Sequence, residues 1–226
     1  MLFLAVFCGF LAEYQLEHKI EKDREKQFIR SLAYDIKADT ASLSNNINER
    51  TLRDISLTSL SQLMNSDAPA KHTIDIYFYA ITASRTRAIR FVPNDGTLQQ
   101  LKNSGAFRLI RSREVADSIA KYDVNVRNFI RQQEVEETHI HDYRQASGKM
   151  FNPLYFEQMM DADVNPTRLT AGNPPLLNYE KADLESWNYR LYGMKTISKA
   201  NRRDARLLLR QAKNLIIILN KKYQLE

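Results

Sequence analysis

The sequence predicts an all-α protein. The expected architecture is a long-helix bundle with a coiled-coil-like stem, a small helical subdomain and a partial transmembrane helix at the N-terminus. Three observations carry this. No Pro or Gly occurs from Glu13 to Met64, and apolar residues recur there at helical spacing. The stretch from Leu184 to Lys222 follows a heptad. Residues 1–12, MLFLAVFCGFLA, carry no charge and are followed by a dense charge run from Glu17 to Lys26.

Residues 1–12 span roughly 18 Å as a helix, against about 30 Å of hydrocarbon, which is too short to cross a bilayer alone. A signal peptide needs a basic start and small residues before the cut, and neither is clear. A lipoprotein signal wants a small residue before Cys8, where Phe7 stands. The preferred reading is the second half of a membrane span whose first half lies upstream of Met1. Residues 13–226 form the helical domain, beginning with a stem helix over 13–64. Its expected buried face holds Phe28, Leu32, Ile36, Leu43, Ile47, Ile55, Leu60 and Leu63, with a bend at the weak helix formers from Asp39 to Asn46.

Residues 66–111 read as a central helical subdomain. Pro69 suits a helix start, and a helix of about 70–86 follows. Phe91–Gly96 reads as a turn. Thr97 with Gln100 gives a capping-box pattern opening a short helix, and Gly105 suits the residue just past its end. Ser112 caps a long helix over 112–146, with Val115, Ile119, Tyr122, Val126, Phe129 and Ile140 on one face. Residues 148–178 hold four of the six Pro and a cluster of Met and aromatic residues, and read as a loop that packs on something. Asn178 caps the last helix, 179–223. Its a positions are Leu184, Leu191, Ser198, Ala205, Ala212 and Leu219. Its d positions are Trp187, Met194, Asn201, Leu208, Leu215 and Lys222. Nine of these twelve are apolar, enough for a seam with polar breaks.

Composition excludes several classes. One Cys in 226 residues leaves no disulfide framework or Cys-rich zinc module. Six Gly are few for a Gly-rich nucleotide fold, and no dinucleotide, P-loop, zinc-protease or nucleophile-elbow motif occurs. No cofactor and no enzymatic activity are expected. The net charge of +6 is concentrated in two segments, 83–113 and 195–213, each with a surplus of six positive charges over a slightly acidic remainder.

Two stretches resemble a known family. Residues 4–37 are similar to the junction of membrane span and coiled stem in a Bacteroidota family of single-pass membrane proteins with no established activity. Residues 91–111, FVPNDGTLQQLKNSGAFRLIR, are similar to its central signature through Pro93, Asn94, Gly96, Thr97, Leu101, Ser104, Gly105, Leu109 and Ile110. The resemblance covers the chain up to about residue 125. It implies a transmembrane helix with further residues before Met1, an inner-membrane location and a periplasmic domain.

Four candidate sites follow. The signature residues Pro93, Asn94, Gly96, Thr97 and Gly105 read first as structure. The competing reading is an anion at the new helix with Arg108 and Arg111 beside it. Glu136, Glu137, His139, His141 and Asp142 form the only His-acid cluster and read as a solvated helix face. On the last helix, Lys195, Lys199, Arg202, Arg203, Arg206, Arg210 and Lys213 fall within an arc of about 100°, roughly 27 Å long. That stripe suits an acidic protein partner or anionic lipid headgroups. Nucleic acid is disfavoured for lack of a base-reading motif or aromatic platform. The loop 148–178 is a further partner surface or else a cap on its own bundle. The expected function is a membrane-anchored, non-enzymatic interaction or scaffold module with a protein partner or a second copy of itself. The alternative is a sensory domain binding a small anion at the Arg-rich central segment.

Overall fold

The computed structural model describes residues 2–85, 89–178 and 180–225, with side chains from Val6 onward. It is all-helical, and no strand occurs among the described residues. Six helices follow in order: α1 (Leu2–Met64), α2 (Thr73–Ser84), α3 (Gly96–Asn103), α4 (Arg113–Ser147), α5 (Pro153–Gln158) and α6 (Lys181–Tyr223). Single 3₁₀ turns at Pro69–Lys71 and Ala106–Leu109 connect them. No described helix is long and apolar enough to cross a membrane.

The chain forms two compact units. One comprises Met1–Ser42, Val92–Val126 and Leu208–Glu226; the other comprises Leu43–Phe91 and Arg127–Leu207. The predicted central segment is thus divided: α2 belongs to the second unit, and the signature with α3 to the first.

Each long helix buries one row at alternating three- and four-residue spacing. On α1 the row is Ile29, Leu32, Ile36, Asp39, Leu43, Asn46, Arg50, Arg53, Leu57, Leu60 and Met64. On α4 it is Val115, Ile119, Tyr122, Val126, Phe129, Gln133, Glu136, Ile140, Tyr143 and Ser147. On α6 the expected seam is found from Trp187 to Leu219, with Ser198 and Asn201 fully buried. This 3.5-residue period is that of helices packed knobs-into-holes. The α1 row differs from the apolar face predicted from sequence. Ile55 is 56% exposed, and Arg50 and Arg53 are buried instead. The polar residues sit inward because they find partners there.

α1 continues through the weak helix formers Asp39–Asn46 without a break in the helix. Asp39 and Asn46 bond to other elements, while Thr40 donates to the Lys37 carbonyl of the same helix at 2.7 Å. Asp39 Oδ1 accepts the Asn94 backbone N–H at 2.8 Å and its side-chain amide at 3.0 Å, and Oδ2 accepts the Tyr122 hydroxyl at 2.8 Å. Burial is the main reason the Asp39 carboxyl sits above the usual range, and these hydrogen bonds partly offset it.

In the first unit α1 and α4 run parallel and α6 antiparallel. Arg111 N–H bonds Glu25 and Tyr122 bonds Asp39, while Tyr223 donates to Glu25 at 2.5 Å and Asn125 to Gln211 at 2.8 Å. The second unit has an aromatic core of Tyr77, Tyr143, Phe151 and Trp187, with Met150, Met159 and Leu176 packed into it. Loop 148–178 therefore caps its own bundle. Arg168 fastens it to α2 by pairing with Asp75 and lying over the Phe78 ring at 4.5 Å. α6 begins at Lys181 rather than at 179, so Asn178 does not cap it; its Oδ1 accepts the Glu180 N–H at 2.7 Å in the turn just before.

Candidate functional site

The basic residues of α6 separate into two groups by heptad position. Lys195 and Arg202 are e residues, flanking the seam, and both are half-buried. Arg202 Nε stands 3.0 Å from Asp54 Oδ2, a close ion pair with a buried acid. Arg202 therefore belongs to the bundle interior as much as to the stripe. Lys199, Arg203, Arg206, Arg210 and Lys213 are b and f residues, and all are exposed. Arg203 pairs only with its neighbour Asp204, at 3.0 Å with 72% of its side chain exposed. Among the described residues no acid pairs with Lys199, Arg206, Arg210 or Lys213. Exposed like charges held in one row create a local positive field that only an external anion can neutralise.

The b/f row starts before the first Lys. Tyr189 and Tyr192 are 70% and 65% exposed, and Tyr192, Thr196, Lys199, Arg203 and Arg206 continue the same alternating spacing. Beside the tyrosines, α4 and α6 enclose a largely apolar groove of about 390 Å³, lined by His139, Asp142, Tyr189, Tyr192, Gly193 and Ile197 among others. A Cβ at Gly193 would lie 3.1 Å from Nδ1 of His139, so the imidazole rests close against α6 and would shift by a few tenths of an ångström for a larger residue.

Beneath this face lies a buried charged layer that sequence reasoning missed. Arg50 donates through Nη1 to both Glu136 oxygens, at 2.8 and 2.7 Å, and through Nε to Asn46 Oδ1 at 3.0 Å. Its Nη2 donates to the Ile89 carbonyl at 3.2 Å, which also accepts the Asn46 amide. Arg53 donates to Glu136 Oε1 at 3.0 Å and to the Ala83 carbonyl at 2.9 Å. Burial chiefly lowers the Arg53 pKa, to about 10, while Glu136 opposes the shift. Asn201 donates to Glu136 Oε2 at 2.9 Å, and Ser198 to Asp54 Oδ1 at 2.6 Å. The Asn201 oxygen has no donor among the described residues. Glu136 is thus no part of a solvated face, as expected from sequence, but the acceptor at the centre of this layer. The legible signal was the 3.5-residue period of α4, which places Glu136 in the seam seven residues after Phe129.

The rest of the His-acid cluster disperses. Glu137 pairs with Arg90 at the surface at 3.3 Å, and Asp142 with Arg190 at 3.7 Å. His139 lines the groove and His141 is exposed. No group able to hold a metal ion forms among the described residues.

The central signature acts as a tie to α1. Thr97 does not cap α3. The helix begins at Gly96, and the Thr97 N–H is accepted at 3.2 Å by Asp35 of α1. A carboxylate of the chain thus takes the place expected for an anion, and its charge suits a helix N-terminus. Arg111 is committed to Glu21 at 3.1 Å, while Arg108 is exposed. Asn94 is held by Asp39, Pro93 is half-buried, and Gly105 adopts the left-handed conformation at φ 68°. No protein-family model matches the chain, and neither a curated protein nor a solved structure does.

Proposed function

We propose that the chain is a non-enzymatic helical interaction module that presents one face of α6 to an acidic partner protein. The observation that carries the reading is the row Lys199, Arg203 and Arg206 of the second unit, exposed and, among the described residues, lacking any acid from another element. Burying such a row in the bundle would have required carboxylates opposite it, and the chain supplies them only to Arg202.

The module is held at a membrane by the N-terminal apolar segment. From Val6 to Glu17 every side chain of α1 is exposed, including Val6, Phe7, Phe10 and Leu11. Apolar residues exposed all round a helix suit a hydrocarbon or interfacial setting. The resemblance of residues 4–37 and 91–111 supports a single span in an inner membrane with a periplasmic domain. The anion-sensing alternative has weaker support, because Asp35 and Glu21 already occupy the signature's N–H group and Arg111.

The test is partner recovery from detergent-solubilised membranes after crosslinking. Arg206→Glu/Arg210→Glu should leave the circular dichroism spectrum unchanged and reduce the recovered partner about tenfold. Recovery equal to wild type would remove the basic row from the function. For the anchor, the in-frame coding sequence upstream of Met1 should continue the apolar run; an immediate stop codon contradicts the truncated-span reading.

A further inference from the structure

We infer that the partner is an acidic amphipathic helix. Its carboxylates lie along Lys199, Arg203 and Arg206, and an apolar anchor side chain at one end fills the groove between α4 and α6. The inference rests on the reading of the basic row as a partner surface and adds the partner's form and a second binding element.

Periodicity argues for a helix. Tyr189, Tyr192, Thr196, Lys199, Arg203 and Arg206 are separated by three, four, three, four and three residues. This is a second 3.5-residue seam, on the side of α6 opposite the buried one. A second helix laid along α6 would meet residues at this spacing one after another, with its carboxylates in reach of the Lys and Arg side chains. The row from Tyr189 to Arg206 extends about 25 Å, so it takes a partner helix of about 17 residues. Charge fixes the sign of the partner, since the only acid pairing within the row is the exposed contact of Arg203 with Asp204.

The groove argues for an anchor. It opens where the row changes from basic to aromatic, with Tyr189 and Tyr192 as its walls and Gly193 and Ile197 lining it. Its volume of about 390 Å³ has room for one large apolar side chain. Desolvated pockets bordered by charge are where interfaces concentrate their binding energy.

The test uses the protein with two labelled helical peptides of equal negative charge, each bearing Glu at alternating three- and four-residue spacing. One carries Trp at the groove end and the other Ala. Binding is read by fluorescence anisotropy at low salt. The Trp peptide should bind about tenfold or more tightly than the Ala peptide, as expected for burying one large apolar side chain. Tyr189→Ser/Tyr192→Ser should abolish the difference, and Arg203→Glu/Arg206→Glu should weaken both peptides. Equal affinity of the two peptides overturns the anchor while leaving the basic row standing, provided the charge reversals still weaken both. Binding of neither peptide overturns the inference and counts against the row as a protein site. Binding to phosphatidylserine vesicles that the reversals abolish, with no discrimination between peptides, assigns the face to lipid and also overturns it. So does self-association of the protein that Arg203→Glu/Arg206→Glu dissolves.

Discussion

Glu136→Gln separates the buried charged layer from an ordinary surface ion pair. Glu136 accepts four hydrogen bonds, two from Arg50 and one each from Arg53 and Asn201. The Arg50 and Arg53 side chains are 0% and 2% exposed, so water cannot replace the lost charge. A glutamine keeps the shape but removes the negative charge that balances the two guanidinium groups and points an amide N–H toward donors. Removing one partner of a buried pair costs about 3–5 kcal/mol, because the remaining charge stays buried. Asp54 also favours the charged Arg53, though less than Glu136 does, and is itself paired with Arg202. We expect about 4 kcal/mol of destabilisation, a large part of a stability of about 5–15 kcal/mol. The assay is urea unfolding followed by fluorescence of Trp187, the single tryptophan, which is fully buried in the same unit. The neighbouring Glu137→Gln is the control. Its pair with Arg90 is more than half exposed on both sides and should be worth at most about 0.5 kcal/mol. Adding Arg50→Met to Glu136→Gln should recover part of the loss by removing one unpaired charge. Destabilisation by Glu136→Gln of under about 1 kcal/mol, or equal to that of the control, refutes the reasoning.

Other predictions follow from the same logic. Asp39→Asn should cost little, since an amide can still accept from Asn94 and donate to the Tyr122 oxygen, whereas Asp39→Ala should cost about 3 kcal/mol by stranding both partners. The raised Asp39 pKa means the folded state holds that proton more readily, so its contribution is present below the unfolded value and lost as pH rises through the folded one. Asp39→Asn should remove that dependence in acid titrations of stability. Tyr143 lies buried with its pKa raised, chiefly by burial, so it contributes stability below about pH 10 that is lost above it. Tyr143→Phe should therefore narrow its deficit to wild type by about 1 kcal/mol between pH 8 and pH 11; a constant deficit contradicts this. Arg53 works the other way, since the unfolded chain keeps a proton that the buried side chain gives up above about pH 10. Gly193→Ala should raise thermal stability by up to about 1 kcal/mol, because the half-exposed His139 ring can swing aside. A loss of stability instead would show that the ring is held in place.

Periodicity alone determined much of this protein. The unbroken run from Glu13 to Met64, the face from Val115 to Phe129 and the heptad from Leu184 each became a helix, the last two with the predicted apolar side buried. Gly105 follows the end of α3 in the left-handed conformation, as its chemistry dictates. Sequence reasoning failed where polar residues take seam positions. Asp39, Asn46, Arg50, Arg53 and Glu136 each look like surface residues in isolation, because burying any one of them alone costs several kcal/mol, of the order set by desolvation. Only the tertiary structure places Arg50, Arg53, Glu136 and Asn201 within hydrogen-bonding reach of one another, though they lie up to about 150 residues apart in the chain. The same holds for α6. The sequence marked seven basic residues as one stripe, and packing divided them, turning Arg202 toward Asp54 and leaving the b and f residues exposed. A helix fixes which residues share a face through its own geometry. Which face is buried, and which charges are cancelled there, depends on the side chains that other helices bring to it.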